Sequence, residues 1–190
     1  RRSASLRVAT YRTLIGLLAV TGLRVGEAIR LDRGDLDLKH DLLVVRNSKF
    51  GKSREVPLHP STLRALRDYL RLRDRAHPTS SVPALFISPA GTRLLYCNVH
   101  ATFRQLRQRA GLQQRSASCR PRIHDLRHSF AIRTLLDGYR DDGDVQPRLS
   151  LLATYLGHVN PDSTYWYLSA APELLALAGQ RLERHLGAGS

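Results

Sequence analysis

The chain reads as a run of amphipathic helices interrupted once by a stretch with strand periodicity. Between Leu6 and Val20 the apolar residues Val8, Tyr11, Leu14, Ile15 and Leu18 recur at helical spacing. Thr21-Gly22-Leu23-Arg24 breaks that stripe, and a short helix resumes from Val25 to Leu31. From Asp35 to Leu58 the period changes. Leu36/Leu38, Leu42 to Val45 and Glu55 to Leu58 predict three short strands joined by polar turns, the second turn running from Asn47 to Ser53. Ser61 is placed to cap a helix from Thr62 to Arg75. His77 to Thr92, with three prolines, reads as a connector holding one short strand at Leu85-Phe86-Ile87. Asn98 is expected to cap a further helix that ends at Ala110-Gly111, and Gln113 to Pro121 reads as a polar loop. Helices are then predicted over Ile123–Leu136, Pro147–Leu156, Pro161–Leu168 and Pro172–Leu186, the last with leucines at 174, 175, 177, 182 and 186. The expected class is α+β, mostly helical, with a small three-stranded antiparallel sheet.

Length adds that this is one domain of ordinary size, since the chain has 190 residues. A chain of this length buries roughly 70% of its unfolded surface and folds without disulfides or metal. Cys97 and Cys119 stand in unrelated surroundings with no C-x-x-C spacing, which reads as free thiols in a reducing compartment. No apolar run approaches the ~20 residues that span a bilayer, and no signal peptide opens the chain. The first residue is Arg1 and methionine is absent, so a preceding N-terminal domain is expected.

Charge changes the picture more. Thirty basic residues against sixteen acidic ones give a formal charge of +14, which favours a polyanionic partner, nucleic acid above all. Only Lys39, Lys49 and Lys52 are lysine. The arginine excess suits bidentate phosphate contacts, and a GC-rich genome would produce the same bias.

Candidate chemistry lies in separated short motifs. Leu156-Gly157-His158 is followed nine residues later by Tyr167, in the run Thr164-Tyr165-Trp166-Tyr167. An imidazole that binds phosphate, with a tyrosine about two helical turns on, could attack a phosphodiester covalently. His124-Asp125-Leu126-Arg127 precedes it, with His124 and Arg127 spaced to share one helix face. Arg24 follows the glycine turn, where the start of a helix favours anions. His124 and His128 have the spacing of a zinc pair, but no Glu occupies the H-E-x-x-H position. Without an acidic cluster of the two-metal kind, a metal-free scheme comes first. It needs cations on the phosphate oxygens, an in-line nucleophile and an acid for the leaving group.

Together, Thr21-Gly22-Leu23-Arg24-Val25-Gly26-Glu27, the Lys49 turn closing with Val56-Pro57-Leu58, His124-Asp125-Leu126-Arg127-His128-Ser129, Leu156-Gly157-His158 and Tyr167 resemble the motifs of the tyrosine recombinase (phage integrase) family. Order and spacing agree from residue 6 to 186. The context Ser163 to Ser169 is similar to integrases of transposons and other mobile elements.

The resemblance implies a tyrosine recombinase catalytic domain over residues 1–190, preceded by a DNA-clamping domain. It further implies that Arg24 and Arg127 clamp the scissile phosphate and that His158 donates a hydrogen bond to it. Tyr167 would attack phosphorus, with family register favouring it over Tyr165, while Tyr155 precedes the histidine. Lys49, chosen over Lys52 by aligning on Val56-Pro57-Leu58, would protonate the leaving 5′-oxygen, a task the high pKa of arginine makes difficult. Ser48-Lys49-Phe50 departs from the family's usual Gly-Lys-Gly, which alters the expected turn. His124 would assist proton removal from the tyrosine, and Glu27 would support the arginine or histidine. No metal, cofactor or ATP is implied.

The implied partners are double-stranded DNA and further copies of the chain on it, as a tetrameric synapse. The helix at 172–186 would dock in trans, or else pack on its own core. The implied location is the bacterial cytoplasm, on the nucleoid, with no membrane contact. The alternatives are a type IB topoisomerase-like nicking-closing enzyme and a catalytically inert DNA-binding relative.

Overall fold

The computed structural model describes residues 2–46, 53–112, 120–140 and 145–157. Contacts divide the chain into two compact units, Arg1–Arg127 and His128–Ser190.

In the first unit, α1 (Arg2–Thr21) and α2 (Val25–Arg30) precede a three-stranded antiparallel sheet. Its strands β1 (Leu36–Asp37), β2 (Leu42–Val45) and β3 (Arg54–Pro57) lie in sequence order. The register pairs Leu36 with Leu43, and Leu43 with Val56. That register sets the alternation: Leu43, Val45 and Val56 point into the core while Glu55 stays in solvent. The β1–β2 turn is held by the Asp37 carboxylate, which accepts from the backbone N–H of Lys39 at 2.9 Å and of His40 at 3.0 Å. The helices α3 (Pro60–Ala76) and α4 (Tyr96–Arg109) follow, and α1 packs chiefly on α3.

The predicted elements recur with shifted edges. α1 starts at Arg2 and buries Leu6, Thr10, Leu14 and Leu17, a stripe at three- and four-residue steps. Tyr11 and Leu18 are buried beside it, whereas Val8, expected in the apolar stripe, lies across the helix at 68% exposure. α3 is capped by His59, not Ser61, because Pro60 starts a helix well and the His59 ring accepts from the Ser61 N–H at 3.3 Å. α4 begins at Tyr96 after Leu95, so Asn98 lies inside the helix. Leu85-Phe86-Ile87 forms no strand; isolated bridges join Asp32 to Ala84, just before it, and its last residue Ile87 to Arg93.

That connector is nonetheless the centre of the unit. Ala84, Leu85, Phe86 and Ile87 are all fully buried. Their backbone groups are satisfied by side chains as well as backbone. Tyr69 Oη accepts from the Ile87 N–H at 3.1 Å, Thr10 Oγ1 donates to the Ile87 carbonyl at 3.2 Å, and the buried Arg73 donates to the carbonyls of Val82 (2.8 Å) and Ala84 (3.1 Å). These bonds give buried backbone groups of a proline-rich segment partners inside the unit.

α5 (Asp125–Arg140) starts in the first unit and continues into the second, which also contains α6 (Val145–Leu156). There Ala131, Leu135, Leu149, Leu152 and Leu156 form a core, with Tyr155 stacked on Phe130 at 5.6 Å. Tyr155 is thus a packing residue. The helices predicted at 161–168 and 172–186 lie outside the described residues.

Candidate functional site

Gly22 builds the turn from which Arg24 projects. Its φ of 61° ends α1 in the left-handed region open to glycine, and its N–H still bonds the Leu18 carbonyl at 3.0 Å. The Gly22 carbonyl then accepts from Arg127 Nη1 at 2.7 Å, across 105 residues of sequence. Arg127 is buried at 2% exposure, on the first turn of α5. One hydrogen bond thus ties the two sequence-predicted phosphate arginines to a common turn.

His124 is exposed and sits in the turn before α5, not within the helix as its spacing to Arg127 suggested. The Arg127 N–H bonds the His124 carbonyl at 3.0 Å, so the two remain neighbours through the helix start. Asp125 anchors that start, accepting from the backbone N–H of Arg122 at 2.7 Å and from its guanidinium at 3.3 Å.

Glu27 is enclosed, with 1% of its side chain exposed. Each carboxylate oxygen takes two donors. Oε1 accepts from Arg24 Nη1 at 2.9 Å and Arg54 Nη1 at 3.2 Å. Oε2 accepts from the Arg24 backbone N–H at 2.9 Å and Arg54 Nη2 at 2.8 Å. The N–H at the start of α2, expected to help attract an anion, is therefore engaged by this carboxylate. Burial pushes the Glu27 carboxyl up, but the hydrogen bonds and charge of Arg54 and Arg24 outweigh it, lowering the pKa from 4.5 to about 2. The sequence expectation was that Glu27 supports the arginine or histidine; the structure puts its carboxylate on Arg24 and also on Arg54, which the sequence reading omitted. The missed signal was the adjacency of Arg54 to the Val56-Pro57 strand, where a lone arginine resembles a solvated edge residue.

A cleft of about 730 Å³ opens at His124. His100, Arg104, Arg107, Arg120 and Arg122 line it with His124, so its basic groups stand among apolar neighbours such as Phe103 and Ile123. Arg107 donates to the Pro121 carbonyl at 3.1 Å, fixing α4 to the segment that leads into His124. Among the described residues, no cluster of three His, Cys, Asp or Glu side chains could hold a metal ion. Nor is any helix among them long and apolar enough to cross a membrane. Lys49, His158 and Tyr167 lie outside the described residues.

A mostly helical chain with a small three-stranded antiparallel sheet is the fold of tyrosine recombinase catalytic domains. The characteristic sequence pattern of the phage integrase family matches residues 3–173, and the chain belongs to that family. It is 47% identical over 180 residues to a Sinorhizobium fredii protein, the candidate integrase/recombinase y4rB, covering 94% of this chain and 57% of that one. It is 31% identical to the tyrosine recombinase XerC of Chlamydia trachomatis, covering 86% of this chain and 47% of the relative. The crystal structure of XerA recombinase superposes with a TM-score of 0.72 at 28% identity, covering 97% of this chain and 61% of that one. The chain thus spans about half to three-fifths of the length of the proteins it matches.

Proposed function

We propose that this chain is the catalytic part of a site-specific DNA recombinase, an integrase of a mobile element. It cuts and rejoins double-stranded DNA through a 3′-phosphotyrosine, without metal or ATP. Tyr167 Oη attacks the scissile phosphorus as its proton passes to His124. The bond from phosphorus to the 5′-oxygen breaks, and Lys49 gives that oxygen a proton. Arg24, Arg127 and His158 hold the non-bridging oxygens, whose charge grows in the transition state. Reversal by a 5′-hydroxyl of another duplex conserves the bond energy, so rejoining needs no external energy source.

The observation that carries this reading is the Arg127–Gly22 hydrogen bond. It joins two distant arginine motifs at one turn, as a phosphate clamp requires. The basic cleft at His124 supports the DNA part of the reading, because the duplex on either side of the cleaved phosphate needs cationic walls. Solved relatives support it as well: one XerH site-specific recombinase structure is a pre-cleavage complex with its difH substrate. On DNA the working unit is a tetrameric synapse. The 172–186 segment links neighbouring copies, and a preceding domain closes around the duplex.

Nicked suicide duplexes randomised around the cleavage position test the proposal. Wild-type protein is expected to become linked to the 3′ phosphate of a selected sequence, and Tyr167→Phe to form no adduct. An adduct with Tyr167→Phe refutes that nucleophile. Relaxation of supercoils without a selected sequence turns the reading toward a nicking-closing enzyme.

A further inference from the structure

Arg54 opens β3, five residues after Lys49 in sequence, and its side chain is only 12% exposed. An arginine placed for solubility would point outward. This one turns inward and grips both oxygens of Glu27, at 3.2 and 2.8 Å. The same carboxylate holds the backbone N–H and the guanidinium of Arg24.

Charge gives the arrangement its meaning. Glu27 alone, 2.9 Å from Arg24 and shielded from water, would cancel the positive charge that Arg24 presents to DNA. With Arg54 added, the group of two guanidinium ions and one carboxylate keeps a net positive charge. Geometry acts in the same direction. The planar fork of Arg54 fixes the carboxylate plane, and the carboxylate in turn fixes the rotamer of Arg24. Glu27 without Arg54 would be a buried anion competing with the phosphate for Arg24.

We propose that Arg54 is a positioning residue for strand cleavage, which neutralises Glu27 and thereby keeps the charge and orientation of Arg24 directed at the scissile phosphate. This rests on the recombinase reading given above. Arg54 does not touch DNA in this role. It works through Glu27, so its loss should be relieved by removing the charge of Glu27, which a simple packing role would not predict.

The experiment uses full-length protein and the suicide duplex that wild-type protein selects. The duplex is made once with a phosphodiester and once with a neutral methylphosphonate at the scissile position. Arg54→Met should slow adduct formation on the phosphodiester by about 10- to 100-fold, less than the ~10²–10³ typical of removing a direct oxyanion donor. DNA affinity should change by less than about 3-fold, since no phosphate contact is removed. The double variant Glu27→Gln/Arg54→Met should recover most of the rate. On the methylphosphonate, which has one negative charge fewer, the Arg54→Met defect should shrink to within about 3-fold. Arg54→Lys keeps the charge without the fork and should fall between wild type and Arg54→Met. Thermal melts compare folded protein across the set.

Cleavage by Arg54→Met at the wild-type rate overturns the inference. So does an equal defect on both substrates that Glu27→Gln does not relieve, because that outcome assigns Arg54 to packing alone. Failure of wild-type protein to form any adduct refutes the recombinase reading itself, and this inference with it.

Discussion

Burial pushes the Glu27 carboxyl pKa up; three donor groups from two arginines more than offset that and favour the charged form. Its pKa of about 2, against 4.5 ordinarily, has a defined consequence for stability. A depressed carboxyl contributes stability that is complete above its unfolded value and is lost as pH falls through its folded value. The loss therefore runs from pH 4.5 down to about 2, and its full size is on the order of 3 kcal/mol. Urea unfolding of wild type and Glu27→Gln should show a gap at pH 7 that narrows across that acid window. A gap that is constant with pH would mean that Glu27 stabilises by shape rather than by charge. At this scale the sequence was only partly legible. Arg24 and Arg127 announce themselves by motif and Glu27 by its distance from Arg24. Arg54 does not, because its partner lies 27 residues away and only the sheet brings them together.

At the scale of elements, periodicity served well and caps served poorly. The strand run from Asp35 to Leu58 and the helices α1 to α6 follow from spacing of apolar residues, since each must bury one face. Cap positions depend on one or two residues whose competition is local. Pro60 displaced Ser61 as the start of α3 by favouring the first helical turn itself. The connector from His77 to Thr92 was the least legible, because its order comes from side chains of other elements. Tyr69 on α3 illustrates this, with its ring 5.3 Å from that of Phe86 and its hydroxyl accepting from the Ile87 N–H. Tyr69→Phe keeps the ring and strands a buried backbone donor, so the expected loss is about 1–3 kcal/mol. Chemical denaturation should show this as a lower midpoint with an unchanged slope. A loss below a few tenths of a kcal/mol would show that the connector does not depend on this bond.

At the scale of the whole molecule, the charge of +14 has to be reconciled with ion pairs that consume part of it. Arg54 and Arg73 are turned inward, and Arg33 is paired with Asp74, so these arginines serve the fold. Arg104 and Arg120 instead line the cleft at His124 and are exposed, while Arg122 lines it and also pairs with Asp125. Composition could not separate these two populations, because an arginine that braces a carboxylate and one that meets a phosphate count alike in the sequence. Salt dependence separates them. Each phosphate neutralised contributes about 0.9 to the slope of log affinity against log salt, and six or more contacts cost roughly 10³-fold or more between 50 and 200 mM. Fluorescence anisotropy with a duplex of arbitrary sequence should reach that loss for the wild-type protein. Replacing both Arg104 and Arg120 by Gln should flatten the slope by about 2, if each meets one phosphate. An unchanged slope in that variant would move the DNA-binding face away from the cleft, even if cleavage by Tyr167 were established.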